Sequence, residues 1–313
     1  LLQVLMHAQH EGVLNFGDIR FGAIVSMPKR KKPSPNLLSG AYSTYRNLPP
    51  VTREIHGRLV EKDMLDSWLS SKNPLLAISG IAGCGKTTLT SHWLNHTISS
   101  TPEYEVMYYP CQPWDTPLGI ATSLLHKIGV GVDDGKHDPY NILEALPLKP
   151  GVEIDIDSYR RRLAAHMLDE SGLDTKQEIE LLVVLDDVHN IGPEGNYLFG
   201  ALLQVAEIAP LRLILISRNR LSFYDTRDVH TRERVRELHL SGLSVEEVNS
   251  WISSMNLPNE TEVEKIHSIT GGHPLAVELL ELYGKTVHED WTRFLDQEIL
   301  DVLPTDSREI LSI

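Results

Sequence analysis

The residues that could do chemistry are concentrated in one stretch, Gly80-Ile81-Ala82-Gly83-Cys84-Gly85-Lys86-Thr87, followed by Thr88. It fills every position of the phosphate-loop pattern G-x-x-x-x-G-K-[ST]. Glycines in such a loop let the backbone bend tightly and aim successive N–H groups at phosphate oxygens. Gly83, Cys84, Gly85 and Thr88 are therefore expected to cradle an anion. Lys86 is expected to reach the β- and γ-phosphates, and the Thr87 hydroxyl to ligate Mg²⁺. Far downstream, the apolar run Leu181–Leu185 ends in Asp186-Asp187. Asp186 is the expected partner of Lys86 and Thr87 as a Mg²⁺ ligand, and Asp187 the group that polarises an attacking water. Arg218 closes another apolar run, Leu211–Ile216, where it reads as a γ-phosphate sensor rather than half of a structural ion pair. Together these residues predict a site for ATP or ADP with Mg²⁺. Asp187 is one methylene shorter than a Glu, and a misplacement of about 1 Å can cost on the order of 10²-fold in rate, so hydrolysis is expected to be slow.

Positioning these groups needs a strand before the loop and a helix after it. Leu75–Ser79 has the length and apolarity of a buried strand, and Thr88, Leu89, Trp93 and Leu94 open an amphipathic helix. Tyr104–Tyr109, Leu181–Leu185 and Leu211–Ile216 read as further strands, with Val235–Leu240 a fifth. Continuous apolar runs imply burial on both faces, hence a mostly parallel sheet between helices. Asp186 is expected at the tip of the strand next to that of the phosphate loop, where open α/β sheets place ligands. Met64, Leu65, Trp68 and Leu69 mark a helix upstream. Pro117 opens another through Ile120, Leu124, Leu125 and Ile128, and Asp157 or Ser158 is placed to cap the next. Gly131–Pro139 reads as a surface loop. From Ser244 the patterning is helical (Val245–Met255, Glu262–Ile269, then Leu275–Tyr283 after a Gly271-Gly272-His273-Pro274 break). The fold class is therefore α/β, a doubly wound, mostly parallel P-loop sheet followed by an α-helical lid. The expected divisions are an N-terminal segment at 1–50, a nucleotide-binding domain at 51–242, a helical lid at 243–288 and a further helical start at 289–313. Within 1–50, a strand-like alternation at Ile19, Phe21, Ala23 and Val25 precedes the basic run Lys29–Lys32 and Pro33-Ser34-Pro35; the end of a winged-helix module plus a linker is one reading.

Composition narrows the classes. A length of 313 residues suggests more than one domain, and 41% hydrophobic residues exclude global disorder. A formal charge of −14 argues against electrostatic binding of nucleic acid by the chain as a whole. No apolar run approaches the ~20 residues of a membrane helix, and no secretory leader is recognisable. The cysteine count of 2 cannot make a disulfide framework, and a reducing cytoplasm is expected. No Cys/His array has zinc spacing. The first residue is Leu and the last helical pattern breaks off, so the chain is read as a piece of a larger protein.

From Ile55 to Ile313 the chain resembles the STAND class of P-loop ATPases, signal-transduction ATPases of NB-ARC and NACHT type, and within it the archaeal-type ATPases. The resemblance is carried by Gly57-Arg58…Glu61, the phosphate loop, Leu181–Asp187, Ser217-Arg218 with Phe223-Tyr224-Asp225, and Gly272-His273-Pro274-Leu275-Ala276. It implies that Ile55, His56, Gly57 and Arg58 pack near adenine and ribose and that Pro274 touches the base. It also implies that a winged-helix domain starts near residue 289. Leu59 stands where the family usually carries Glu. The implied behaviour is a switch for signalling or transcription: closed with ADP, open and self-associating with ATP, with winged-helix modules as the route to DNA. The competing reading is a DNA-acting AAA+-like motor or loader ATPase, which predicts brisk, DNA-stimulated turnover.

Overall fold

A computed structural model describes residues 49–50, 55–130, 138, 140–147, 153–170, 180–254 and 263–283. The expectations for the N-terminal module, for nearly all of the Gly131–Pro139 loop and for the start of a winged-helix domain lie outside these residues. Five strands, β1 (Leu75–Ser79), β2 (Tyr104–Pro110), β3 (Glu180–Asp186), β4 (Leu211–Ile216) and β5 (Val235–His239), form one sheet in the order β2-β3-β4-β1-β5. Every neighbouring pair is parallel. The doubly wound α/β class is thus the observed one.

One expectation is corrected. The strand carrying Asp186 does not lie beside β1, because β4 is inserted between them, pairing Ala77 with Leu215 on one side and Leu185 with Leu215 on the other. Arg218, rather than Asp186, therefore leaves the sheet next to the phosphate loop.

Alternation along the strands divides the core in two, since successive side chains of a strand point to opposite faces. Leu75, Ala77, Val183, Leu185, Leu213 and Leu215 join one cluster; Leu76, Ile78, Leu182, Val184, Ile214 and Ile216 join the other. The second face is covered by α1 (Leu59–Leu69), through Leu65 and Trp68, and by α2 (Lys86–His96), through Leu89 and Trp93. The first face is covered by α3 (Pro117–Lys127), α4 (Ile156–Glu170) and α5 (Gly195–Ala206). Each fully buried Leu or Ile contributes roughly 1.5–3 kcal/mol, so this two-sided burial fixes the strand register.

Helix starts follow their caps. Thr116 caps α3, accepting a hydrogen bond from Gly119 N–H at 3.2 Å, with Pro117 at the first helical position. The cap of α4 is Asp155, which accepts from Ser158 N–H at 3.0 Å, not Asp157 or Ser158. Those two residues are already helical, because the helix begins at Ile156. A short α6 (Thr226–His230) carries a capping box between Asp225 and Asp228. The arginines around it pair locally: Arg227 with Asp225, and Arg232 and Arg234 with Asp228. The segment is a salt-bridged surface.

After β5 the described residues hold three helices, α7 (Val245–Ser254), α8 (Val263–Thr270) and α9 (Pro274–Tyr283). They share a small core of Leu243, Val248, Ile252 and Val277. The start of this helical segment, called the lid below, is held close to the turn before α9. Gly272 has φ +70°, and a Cβ there would stand 2.0 Å from the Leu243 carbonyl oxygen. The same approach lets Leu243 N–H donate to Gly272 O at 2.7 Å. Only glycine fits that contact.

Candidate functional site

At the C-terminal ends of β1 and β4 the chain turns into the phosphate loop. Gly80 N–H donates to the Arg218 carbonyl at 3.3 Å and Ser217 N–H to the Ile78 carbonyl at 2.9 Å, so the extension of β4 is knitted to the loop's first glycine. Gly85 caps α2 with φ +92° and no side chain, leaving the first-turn N–H groups of the helix open to an anion. Lys86 is buried, and its Nζ donates to the carbonyls of Gly80 at 2.7 Å and Ile81 at 2.9 Å. Cys84 is also buried; desolvation raises its thiol pKa more than Lys86 and Arg58 lower it. It is therefore a packing residue rather than a nucleophile.

Asp186 stands behind Thr87, nearly inaccessible. Its Oδ2 accepts the Thr87 hydroxyl at 2.7 Å and the Tyr108 hydroxyl at 2.5 Å, and its Oδ1 accepts Asp187 N–H at 2.9 Å. Burial pushes its carboxyl pKa up, and these hydrogen bonds pull it back only partly. Tyr108, desolvated and beside that carboxylate, is pushed up strongly and remains a donor. Sequence reasoning did not find Tyr108. Its role follows from register: Pro110 pairs with Asp186, which puts Tyr108 and Asp186 on the same sheet face. Asp187 takes a left-handed backbone (φ +54°) that an Asp tolerates, with its side chain half exposed and 3.9 Å from His189 Nδ1.

A cavity of about 700 Å³ joins this loop to the lid. Gly83, Cys84, Gly85, Lys86, Thr87 and Thr88 line it, as do Asp187 and Arg218. His56, Arg58 and Pro274 line it too, together with Ile55, Leu243, Leu275 and Glu278. Of the residues singled out from sequence, Gly57 and Asp186 are not on the wall. Trp251 is on it, and nothing in the sequence pattern marked it.

Two contacts tie lid and loop together. His273 Nε2 lies 2.9 Å from the Ala82 carbonyl, which can only accept, so that nitrogen carries the proton. Gly83 makes this approach possible: its φ is +72°, and a Cβ would meet His273 Cε1 at 2.8 Å. Arg58, buried at the start of α1, sends its guanidinium to Glu61 (2.6 Å), the Cys84 carbonyl (3.1 Å) and the Ser241 carbonyl (2.6 Å). Its own N–H donates to Glu247 of α7 at 2.5 Å, while the second oxygen of Glu247 accepts from Ser244 N–H. Arg58 thus binds the strap before α1, the phosphate loop and the lid hinge into one unit. On the same wall, His56 and Trp251 stack with ring centroids 4.9 Å apart and planes 12° from parallel.

Among solved structures, the chain is similar to the Aeropyrum pernix Orc1 protein in complex with DNA, at 15% identity and a TM-score of 0.48, covering 82% of this chain and 71% of that one. It is also similar to the replication initiator DnaA bound to AMPPCP and single-stranded DNA, at 14% and 0.41, covering 82% and 70%. A third likeness is to the E. coli MS115-1 HORMA:CdnC:Trip13 complex, at 15% and 0.41, covering 69% and 74%. These values are too low to carry function from one protein to another. Comparison with curated proteins gave no match. Residues 57–218, running from the Gly57-Arg58 strap through the phosphate loop and Asp186 to Arg218, match the family described as "Nephrocystin 3, N-terminal". That span is more than half of the chain and holds the whole phosphate end of the cavity, and the chain belongs to this family of P-loop proteins.

Proposed function

We propose that this chain is a nucleotide-operated switch of STAND type, binding ATP or ADP with Mg²⁺ in the cavity between sheet and lid and hydrolysing ATP slowly. The observation that carries the reading is the 2.7 Å contact between Thr87 Oγ1 and Asp186 Oδ2. Adjacent ligands of an octahedral Mg²⁺, with bonds of about 2.0–2.1 Å, stand roughly 3 Å apart, and a hydroxyl and a carboxylate are the hard oxygen donors that ion takes. Thr87 and Asp186 therefore fit as its protein contacts. Bound there, the ion would offset phosphate charge.

The chain's own groups supply the rest. Backbone N–H groups from Gly83 to Thr88 orient the phosphates, and Lys86 turns its ammonium from the loop carbonyls to the β- and γ-oxygens. Asp187 orients a water. Arg218 neutralises the terminal phosphate, and its carbonyl contact with Gly80 fixes its distance from the loop. The lid contacts of Arg58 and His273 make the loop and lid respond together, which suits a switch. The domain divisions at 51–242 and 243–288 belong to the same reading, with β5 passing into the hinge at Ser241 and Gly242. Self-association in the ATP state and DNA contact through flanking winged-helix modules would be its outputs. Among the described residues no helix is long and apolar enough to cross a membrane.

The test is to identify nucleotide released from the purified protein and to compare ATP and ADP affinities for wild type and Arg218→Ala. A switch moved from 1:99 to 99:1 needs about 5.5 kcal/mol of differential affinity, which only the γ-phosphate can supply. Arg218→Ala should narrow the ATP-to-ADP ratio and leave ADP binding nearly intact. Equal loss for both nucleotides sinks the sensor role, and fast turnover stimulated by DNA sinks the switch in favour of a DNA-acting ATPase.

A further inference from the structure

The carboxylate of Asp186 is held by two groups that do not belong to the phosphate loop. Tyr108 of β2 donates to its Oδ2 at 2.5 Å, and the Asp187 N–H donates to its Oδ1 at 2.9 Å. Each oxygen thus carries a donor of its own, and the carboxyl plane cannot turn without losing one of them. The contact from Thr87 at 2.7 Å comes from α2 and also falls on Oδ2. β4 stands between β3 and β1, so the strand that feeds the loop gives Asp186 no support. Support comes from the other neighbour, β2, which pairs Pro110 with Asp186 and Tyr108 with Val184. Tyr108 is buried, and its ring belongs to the apolar cluster that also holds Leu89, Leu182 and Val184. A ring close-packed in a core presents its hydroxyl at a set place.

We infer that Tyr108 is a positioning residue for the metal: acting through Asp186, it holds the site to the small, regular geometry of Mg²⁺ and sets its preference over larger divalent cations. The inference rests on the reading of Thr87 and Asp186 as metal contacts and deepens it. Mg²⁺ takes its oxygen ligands at about 2.0–2.1 Å in a near-ideal octahedron, whereas Ca²⁺ accepts about 2.3–2.6 Å and irregular shells. A carboxylate free to turn therefore costs Mg²⁺ more than Ca²⁺. Hydrogen-bond partners behind a metal ligand typically carry about 10- to 100-fold in metal affinity. Tyr108→Phe removes one oxygen atom and keeps the packed ring, so it tests the hydroxyl alone.

The experiment measures the affinity of the whole chain for ATP in excess MgCl₂, in excess CaCl₂ and in EDTA, for wild type and Tyr108→Phe. Wild type should gain affinity with Mg²⁺ over EDTA, and gain less with Ca²⁺. In Tyr108→Phe the Mg²⁺ gain should shrink by about tenfold or more, the Ca²⁺ gain by a smaller factor, and the EDTA value should not move. By linkage, the shrinkage equals the loss of metal affinity in the ATP complex. An equal loss in EDTA would show that Tyr108 only supports the fold around the loop and would overturn the inference. So would equal factors for the two metals, or a Mg²⁺ gain that stays the same or rises without the hydroxyl. A wild type that gains as much from Ca²⁺ as from Mg²⁺ would overturn it before any variant is made. Wild type that binds ATP with no gain from Mg²⁺ would overturn the metal reading of Thr87 and Asp186 as well, and wild type that binds no ATP would overturn the nucleotide reading itself. A wild-type Mg²⁺ gain retained in Tyr108→Phe would overturn only the role of Tyr108.

Discussion

Replacing Asp186 with Asn separates what this carboxylate does for binding from what it does for the fold. It is buried, and it accepts hydrogen bonds from Thr87, Tyr108 and Asp187. Its pKa is nevertheless raised by desolvation, so the ionised form is less favourable here than in water. Asn has the same shape. Its carbonyl can keep the Asp187 N–H, while its amide donates to the Thr87 and Tyr108 oxygens once their hydroxyl hydrogens rotate. Exchanging charge-assisted for neutral hydrogen bonds costs on the order of 1 kcal/mol each. Against this stands removal of a buried anion whose desolvation amounts to several kcal/mol. The two nearly cancel, so unliganded Asp186→Asn should melt within a few degrees of wild type or above it. The nucleotide response should differ sharply. At a hundred times Kd a ligand adds about 2.7 kcal/mol, which for a domain of this size raises Tm by roughly 5–10 °C. Thermal unfolding with ATP, in Mg²⁺ and in EDTA, should show that wild type has a Mg²⁺-dependent increment that Asp186→Asn lacks. The EDTA shift should be similar in both. An intact Mg²⁺ increment in Asp186→Asn would refute the metal-site assignment. A drop of ten degrees or more without ligand would show that the charge is structural.

Two further predictions concern the lid. Arg58→Met removes three side-chain hydrogen bonds from a buried guanidinium and leaves the Cys84 and Ser241 carbonyls and Glu61 without it. At about 1.5–3 kcal/mol for a charged hydrogen bond, partly recovered by water, the loss should be on the order of 2–4 kcal/mol in urea unfolding, with faster proteolysis at the Ser241–Ser244 hinge; a change under about 0.5 kcal/mol would refute the strut. His273 has its pKa lowered, first by burial and then by the charges of Lys86 and Arg58, against the raising effect of the Ala82 carbonyl. A His depressed in the folded state is neutral in both states above the unfolded value of about 6.5; below it the unfolded chain takes up the proton first and stability falls. Between pH 7.5 and 5.5 wild type should therefore lose more Tm than His273→Gln, and identical losses would refute the assignment.

What was legible in the sequence is what depends on neighbours along the chain. The phosphate loop is contiguous, the strands are short apolar runs, and Asp186, Asp187 and Arg218 sit where such runs end. The strand order is another matter. Nothing local states that β4 lies between β1 and β3, yet that insertion decides which residue meets the loop. Tyr108 and Trp251 were missed for the same reason: a Tyr in a strand and a Trp in an amphipathic helix are ordinary core residues until register and lid closure place them. The α4 cap slipped to Asp155 because Asp155, Asp157 and Ser158 all offer cap chemistry and only the backbone chooses.

The inserted strand has a consequence for how the phosphate loop and the lid communicate. Gly80 is hydrogen-bonded to Arg218, the Cys84 and Ser241 carbonyls share the Arg58 guanidinium, and the Ala82 carbonyl meets His273. The loop is therefore held at three points, one each to β4, the strap and the lid. A phosphate that draws Lys86 away from the Gly80 and Ile81 carbonyls disturbs a loop whose next carbonyl, Ala82, is the lid's anchor. The Ile81 and Ala82 carbonyls belong to successive peptide planes that meet at the Ala82 Cα. Loss of the His273 contact should thus change lid closure without touching Lys86, so His273→Ala should uncouple phosphate binding from proteolytic protection of the hinge. Tripolyphosphate would protect Ser241–Ser244 in wild type and fail to do so in His273→Ala at equal occupancy. Equal protection in both would mean that loop and lid are coupled through Arg58 alone.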